Sequence, residues 1–267
     1  MTATSATPLN VVVSGAAGQV AYAFLPLLCS GRVLGPNQRI HLRLLDIPQS
    51  LEVLGGVVME LNDCAFHLVD DIVPTTDLET AFENADIAIL LGGFPRKQGM
   101  ERKELISKNG SIFKAQGEAL ELYARRSVKV LVVANPANTN CLIAMKHAPS
   151  IPTENFSALV QNRGAAIIKA RKLSSAMSVG AAIAGHMNDW LFGSSELVSM
   201  AILSTGNKYG VPDDLIYSFP VKCLGHGEYQ VANVAVSPAI AKLMQVSTDE
   251  LQGEKVEAFS QVDNSHV

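Results

Sequence analysis

Gly15 and Gly18 stand three residues apart, directly after Val11-Val12-Val13-Ser14 and directly before Gln19-Val20-Ala21. Three β-branched residues in a row favour a strand buried on both faces, and the glycines read as a tight turn into a helix. That sequence of strand, glycine turn and helix N-terminus makes an anion site. The first N–H groups and the helix dipole face the ligand, and the glycines let a pyrophosphate approach the backbone. Ala21 stands where the third glycine of the dinucleotide fingerprint often sits, a replacement the pattern tolerates. An ordinary strand-to-helix turn uses the same residues, so a second signal is needed. Ile40–Leu45 reads as another buried strand, and it ends at Asp46. A carboxylate there accepts hydrogen bonds from a pair of ribose hydroxyls and repels a 2′-phosphate, which points to NAD. Asp46 lies 28 residues after Gly18, against about 20 in the usual fingerprint. The loop Ser30–Arg39, with Gly31, Gly35 and Pro36, can absorb the excess.

Two further strand ends carry polar chemistry. An apolar run, Ala85–Leu91, leads into Gly92-Gly93-Phe94-Pro95-Arg96, with Arg102 six residues beyond. A glycine-hinged loop with two arginines can clamp a small anion bidentately, although a solvated basic loop has the same composition. A second run, Val128–Ala134, ends in Asn135-Pro136-Ala137-Asn138-Thr139-Asn140. An amide before a proline can orient a bound carbonyl or simply make a turn. Of the six histidines, only His186, with Asp189 three residues on, tempts as a general base; a histidine on a helix surface or in a core is the competing reading. The four cysteines, Cys29, Cys64, Cys141 and Cys223, form no CxxC pair. Neither a metal site nor a disulfide framework is expected from them, and a reducing compartment fits.

The elements that must position these residues alternate along the first half. Strands are expected at Val11–Ser14, Ile40–Leu45, Asp71–Thr75, Ala85–Leu91 and Val128–Ala134. Helices are expected at Val20–Cys29, Leu54–Ala65, Glu79–Glu83 and Ile106–Arg126. Such alternation implies an α/β fold, a Rossmann-type doubly wound parallel sheet with ligands at the carboxyl ends of its strands. Pro26 is a local conflict, because inside a helix it removes one backbone bond. Past Pro149 the pattern changes to a short strand at Phe156–Leu159, a helix of small residues at 163–192, an antiparallel meander over 197–235 and an amphipathic helix over 238–259. The expected division is a dinucleotide-binding domain at 1–158 and a shortened α+β domain at 159–267. At 267 residues, 48% hydrophobic and 17% charged, the chain can bury a sizeable core. A net charge of −4 with no basic run argues against nucleic acid or an anionic membrane as the main partner. No apolar run reaches membrane-spanning length, and residues 1–10 carry neither positive charge nor a signal core. The terminal Ser265-His266-Val267 matches the Ser-Lys-Leu peroxisomal address at one position only, which chance explains.

These motifs resemble those of cytosolic-type malate dehydrogenases in the lactate/malate dehydrogenase family. The stretches that carry the likeness include GAAGQVAY (15–22), PRKQGMERKEL (95–105), NPANTNCL (135–142), RGAAIIKARKLSSAMS (163–178) and YGVPDDLIYSFP (209–220). The resemblance implies NAD-dependent interconversion of malate and oxaloacetate, a homodimer and a cytoplasmic address. It assigns cofactor contacts to Gly15, Gly18, Gln19, Asp46, Asn109 and Gln116. It assigns the distal carboxylate to Arg96, the reacting carbonyl to Arg102 and a substrate and nicotinamide contact to Asn135. Ala134 stands where many relatives have glycine. The larger departure is internal. In the family, a helix bearing L-D-H-N-R and a later G-N-H-S-S supply the catalytic aspartate, an arginine for the C1 carboxylate and the catalytic histidine. Here Ser157-Ala158-Leu159 runs directly into Val160-Gln161-Asn162-Arg163-Gly164. The resemblance therefore leaves no catalytic residue to name, and two readings stay open: a dehydrogenase chain, or a silent dinucleotide-binding or dimer-partner form. Losing that segment also predicts uncovered apolar faces on helix 163–192 and the meander, with residues 159–267 loosely packed.

Overall fold

The computed structural model describes residues 7–94, 102–159 and 175–263. One nine-stranded sheet runs through all of them, in the order β3-β2-β1-β4-β5-β6-β7-β8-β9. Strands β1 (Leu9–Ser14), β2 (Ile40–Leu45), β3 (Val69–Thr75), β4 (Ile87–Leu90), β5 (Lys129–Val132) and β6 (Phe156–Ala158) are parallel. Strands β7 (Leu197–Leu203), β8 (Ile216–Gly225) and β9 (Glu228–Val231) continue it antiparallel. The valine run behaves as its side chains dictate. Val11 and Val13 enter the core on one face of the sheet and Val12 the core on the other, each fully buried.

Helices cover both faces. The first core takes in α1 (Gln19–Cys29), α2 (Leu51–Asp63) and α6 (Met177–Phe192). The second takes in α3 (Leu78–Phe82), α4 (Arg102–Tyr123), α5 (Ala137–Lys146) and the end of α7 (Pro238–Asp263). Pro26 stays inside α1 on its exposed side. Small residues let α6 press against α1: a Cβ on Gly180 would lie 3.1 Å from the Ala23 carbonyl oxygen.

Three differences from the sequence reading have physical causes. First, α5 begins two residues after Asn135, where a loop alone was expected. Most of this helix is buried, so it shows no polar stripe to betray a helical period. Second, the meander is not a separate sheet. Ala158 of β6 pairs with Ala201 of β7, so β7–β9 extend the parallel sheet. Third, the apolar face of α6 is not left open. Ile183, Met187 and Trp190 are fully buried against α1 and the sheet, and Met200, Phe219 and Val221 of the meander share that core. The exposed apolar side chains cluster instead at 234–246: Val234, Val236, Ile240, Leu243 and Val246. The described part of the long helix starts at Met177; residues 160–174 of the expected span lie outside the described residues.

Candidate functional site: the dinucleotide cleft and its neighbour

At the end of β1 the chain turns on Gly15, whose φ of 67° suits glycine alone at little cost. A Cβ on Gly15 would lie 2.5 Å from the Gly92 Cα, because the chain leaving β4 crosses directly over the turn. Gly18 donates its N–H to the Gly15 carbonyl at 3.0 Å and caps α1 without a side chain. The first helical bond runs from Tyr22 N–H to the Gly18 carbonyl at 2.9 Å. The N–H groups ahead of it are those a helix start offers to an anion. Gln19, exposed, is the first residue of that turn.

Asp46 joins the end of β2 to this turn. Its Oδ2 accepts the Ala17 N–H at 2.9 Å and its Oδ1 the Ile47 N–H at 2.8 Å. A carboxylate has about four acceptor positions, so the half-buried Asp46 retains capacity for two hydroxyl donors. Gly15, Gly18 and Asp46 line one cleft of about 660 Å³ together with Ile47, Gly92 and Gln116. Gln116 is 5% exposed, and its Oε1 has no hydrogen-bond partner. A buried carbonyl oxygen left unmatched in a cleft wall is what a ligand donor would satisfy. The glycine cradle, the acidic residue and the orphaned amide fit a dinucleotide. Gly92 was read as a loop hinge, and its part in the cradle was missed; the Gly-Gly pair after an apolar run was its signal. Ile47, Thr76, Leu78 and Ile112 also line the cleft, and no residue-type signal marks them.

Asn109 does not join the cleft. Its amide is engaged with the backbone of Phe94 and Leu105 behind the wall. Asn135 lines a neighbouring cavity of about 770 Å³, with Tyr217 and Phe219 of β8 and Ile240 and Met244 of α7. The residues after it tie the two halves of the chain together. Asn138 Nδ2 donates to the Ile216 carbonyl at 2.7 Å, Thr139 Oγ1 donates to the buried Glu254 carboxylate, and Asn140 Nδ2 donates to the Ala134 carbonyl at 2.9 Å. Arg96 lies outside the described residues; Arg102 opens α4, but its side chain also lies outside them.

His186 lies in neither cavity wall. The Ser157 hydroxyl donates to the Ala201 carbonyl at 3.1 Å, so the imidazole Nε2–H, also 3.1 Å away, donates to the hydroxyl oxygen. The ring packs edge-on to Trp190 with centroids 6.2 Å apart. Burial pushes its pKa down to about 4. His186 is a neutral core histidine at the seam between β6 and β7.

Residues 9–157 match the sequence model of the lactate/malate dehydrogenase NAD-binding domain, and residues 136–262 that of the family's alpha/beta C-terminal domain. The chain belongs to the lactate/malate dehydrogenase family. Its cofactor is NAD, held by the domain that contains the cleft. The cytoplasmic malate dehydrogenase of Taenia solium is 42% identical over 327 aligned positions, covering 95% of this chain and 98% of that protein. Because this chain has 267 residues, many of those 327 positions face a gap in it. Among solved structures, the malate dehydrogenase of Naegleria fowleri superposes with a TM-score of 0.92 at 38% identity, covering 96% of this chain and 99% of that one. Trichomonas vaginalis lactate dehydrogenase in complex with NADH and oxamate superposes with a TM-score of 0.91 at 31% identity, covering 96% and 99%. No described helix is long and apolar enough to cross a membrane.

Proposed function

We propose that this chain is a cytoplasmic malate dehydrogenase relative that binds NAD in the cleft at Gly15, Gly18, Gln19, Asp46 and Gln116, and that its own turnover of malate and oxaloacetate is feeble. Bound NAD would supply the hydride acceptor. Asn135, Arg96 and Arg102 are the residues proposed to receive the dicarboxylic acid. The observation that carries the second half of the proposal concerns the base. Oxidising a 2-hydroxy acid requires a group to take the hydroxyl proton, and such a base contributes typically 10²–10⁴-fold. Among the described residues lining the cleft and the cavity at Asn135, none is a histidine. Two described histidines that could serve are engaged elsewhere, His41 with Asp71 and His186 with Ser157. The L-D-H-N-R and G-N-H-S-S segments of the family have no counterpart in the sequence.

The test pairs binding with turnover on the purified chain. NADH should bind with ordinary saturation, while oxaloacetate-dependent NADH oxidation should fall at least 10²-fold below that of a full-length relative. Turnover equal to the relative's would refute the feeble-activity reading and call for assay of His186→Ala. Failure to bind NADH would refute the placement of the cofactor.

A homodimer is the second part of the proposal. Leu51, Val53 and Met59 on α2 are exposed apolar side chains on the helix that the resemblance assigns to a dimer face. Isologous pairing would cover them in both copies. Sedimentation at micromolar concentration should give twice the 28.4 kDa of one chain; a monomer there refutes it.

A further inference from the structure

Asn109 grips the backbone of Phe94 by both ends of its amide. Its Oδ1 accepts the Phe94 N–H at 2.8 Å, and its Nδ2 donates to the Phe94 carbonyl at 3.3 Å and to the Leu105 carbonyl at 3.0 Å. The side chain is fully buried. It stands behind the wall of the dinucleotide cleft, which Gly92, Gly93 and Phe94 form. The fit is tight, since a Cβ on Gly93 would lie 2.8 Å from Asn109 Oδ1 and 3.0 Å from the Ala134 Cβ. A carboxamide offers an acceptor and a donor side by side. An aspartate here would set a second oxygen against two buried carbonyls. The Lys108 ammonium lies 4.4 Å from the centre of the Phe94 ring, so the same residue is held from its side chain as well.

We propose that Asn109 is a positioning residue: it sets dinucleotide affinity by fixing Gly93–Phe94 as a wall of the cleft, without touching the cofactor. This differs from the direct contact that the family resemblance implies. Three of the four hydrogen-bonding positions of the amide already meet backbone groups, and Asn109 is not among the residues facing the cleft.

The test combines amide hydrogen exchange on the cofactor-free protein with NADH titration. It uses the unmodified chain, Asn109→Ala, Gly93→Ala and the double variant. In the unmodified chain the Phe94 amide should be protected before any cofactor is added. Asn109→Ala should expose that amide, leave exchange in β1 unchanged and raise the NADH Kd at least tenfold. Gly93→Ala should weaken NADH similarly, and the double variant should be no worse than the poorer single within about twofold, because both changes disturb one contact. Free exchange of Phe94 in the unmodified chain overturns the proposal. So do losses in the double variant that multiply, an Asn109→Ala variant that binds NADH normally, and weakened NADH binding with Phe94 still protected, which is the signature of direct contact. Equal loss of protection at Phe94 and in β1 marks a merely structural role and also overturns it. If Asn109→Ala does not fold, Gly93→Ala and the unmodified chain still decide: Gly93→Ala should leave β1 protected and weaken NADH, and normal NADH binding by it refutes the proposal.

Discussion

Gly15 and Gly92 meet backbone to backbone at the carboxyl ends of β1 and β4. A methyl group on Gly92 would lie 2.8 Å from the Gly15 nitrogen, and one on Gly15 would lie 2.5 Å from the Gly92 Cα. The floor of the cleft is therefore made of peptide groups, which lets a pyrophosphate approach them. Gly92→Ala must push the two strands apart at that point. We expect it to cost about 1–3 kcal/mol of stability, as overpacking does, and to raise the NADH Kd at least tenfold. Denaturant unfolding and NADH titration read the two effects separately.

Asp46 predicts the choice between nicotinamide cofactors. Its carboxylate already receives two backbone N–H groups, which fixes it at the rim where a 2′-phosphate would sit. NADH should bind at least tenfold more tightly than NADPH. Asp46→Asn removes the repelling charge and should narrow the preference by on the order of tenfold. Equal binding of the two reduced cofactors to the unmodified chain would contradict the role given to Asp46.

His186 makes stability depend on pH in a definite direction. Its pKa falls from 6.5 to about 4 because burial disfavours the charged ring. Between those values the unfolded chain binds the extra proton, so stability rises with pH across this window. The contribution is fully present above 6.5, decreases as pH falls and is gone below about 4, amounting to about 3 kcal/mol at most. His186→Phe would remove this dependence together with the hydrogen bond to Ser157. Urea midpoints measured from pH 7 down to pH 4.5 on both proteins should differ in slope. Parallel curves would show that the ring carries no such linkage.

Much of the parallel half was legible because its signals are local. Val11–Val13, the two glycines and Asp46 each state their conformation or chemistry within a few residues, and β2 runs over Ile40–Leu45 as the apolar run indicated. What stayed hidden depends on contacts distant in sequence. The burial of α5 comes from α4 and β6 packing around it, and no amphipathic pattern records that. Asn109 carries nothing in its neighbours to distinguish a ligand contact from a grip on Phe94, 15 residues earlier. The resemblance could assign it only by position. The continuity of the sheet rests on one bridge, Ala158 with Ala201, which no periodicity in either segment announces.

The shortened second half sets the last prediction. An absent segment was expected to leave helix 163–192 and the meander open to water. Instead, the buried side of α6 meets α1, with Gly180 against the Ala23 backbone and with Ile183, Met187 and Trp190 fully buried. Trp190 Nε1 also donates to the Gly227 carbonyl at 2.9 Å, tying α6 to the hairpin between β8 and β9. The weak place lies at the start of α7. Its far end is docked by Glu254 on Thr139 and by Lys255 on Asp214, with Ala258 buried. Toward its start, Ile240, Leu243 and Val246 are half or more exposed, above the cavity at Asn135. Local opening follows sparse apolar burial. Amide exchange should therefore find protection in α6 similar to that in β1, with residues 238–247 of α7 exchanging at least tenfold faster than residues 252–259. Uniform protection along α7 would show that its start is covered in solution, and rapid exchange throughout α6 would show that the α1–α6 contact does not hold the second half closed.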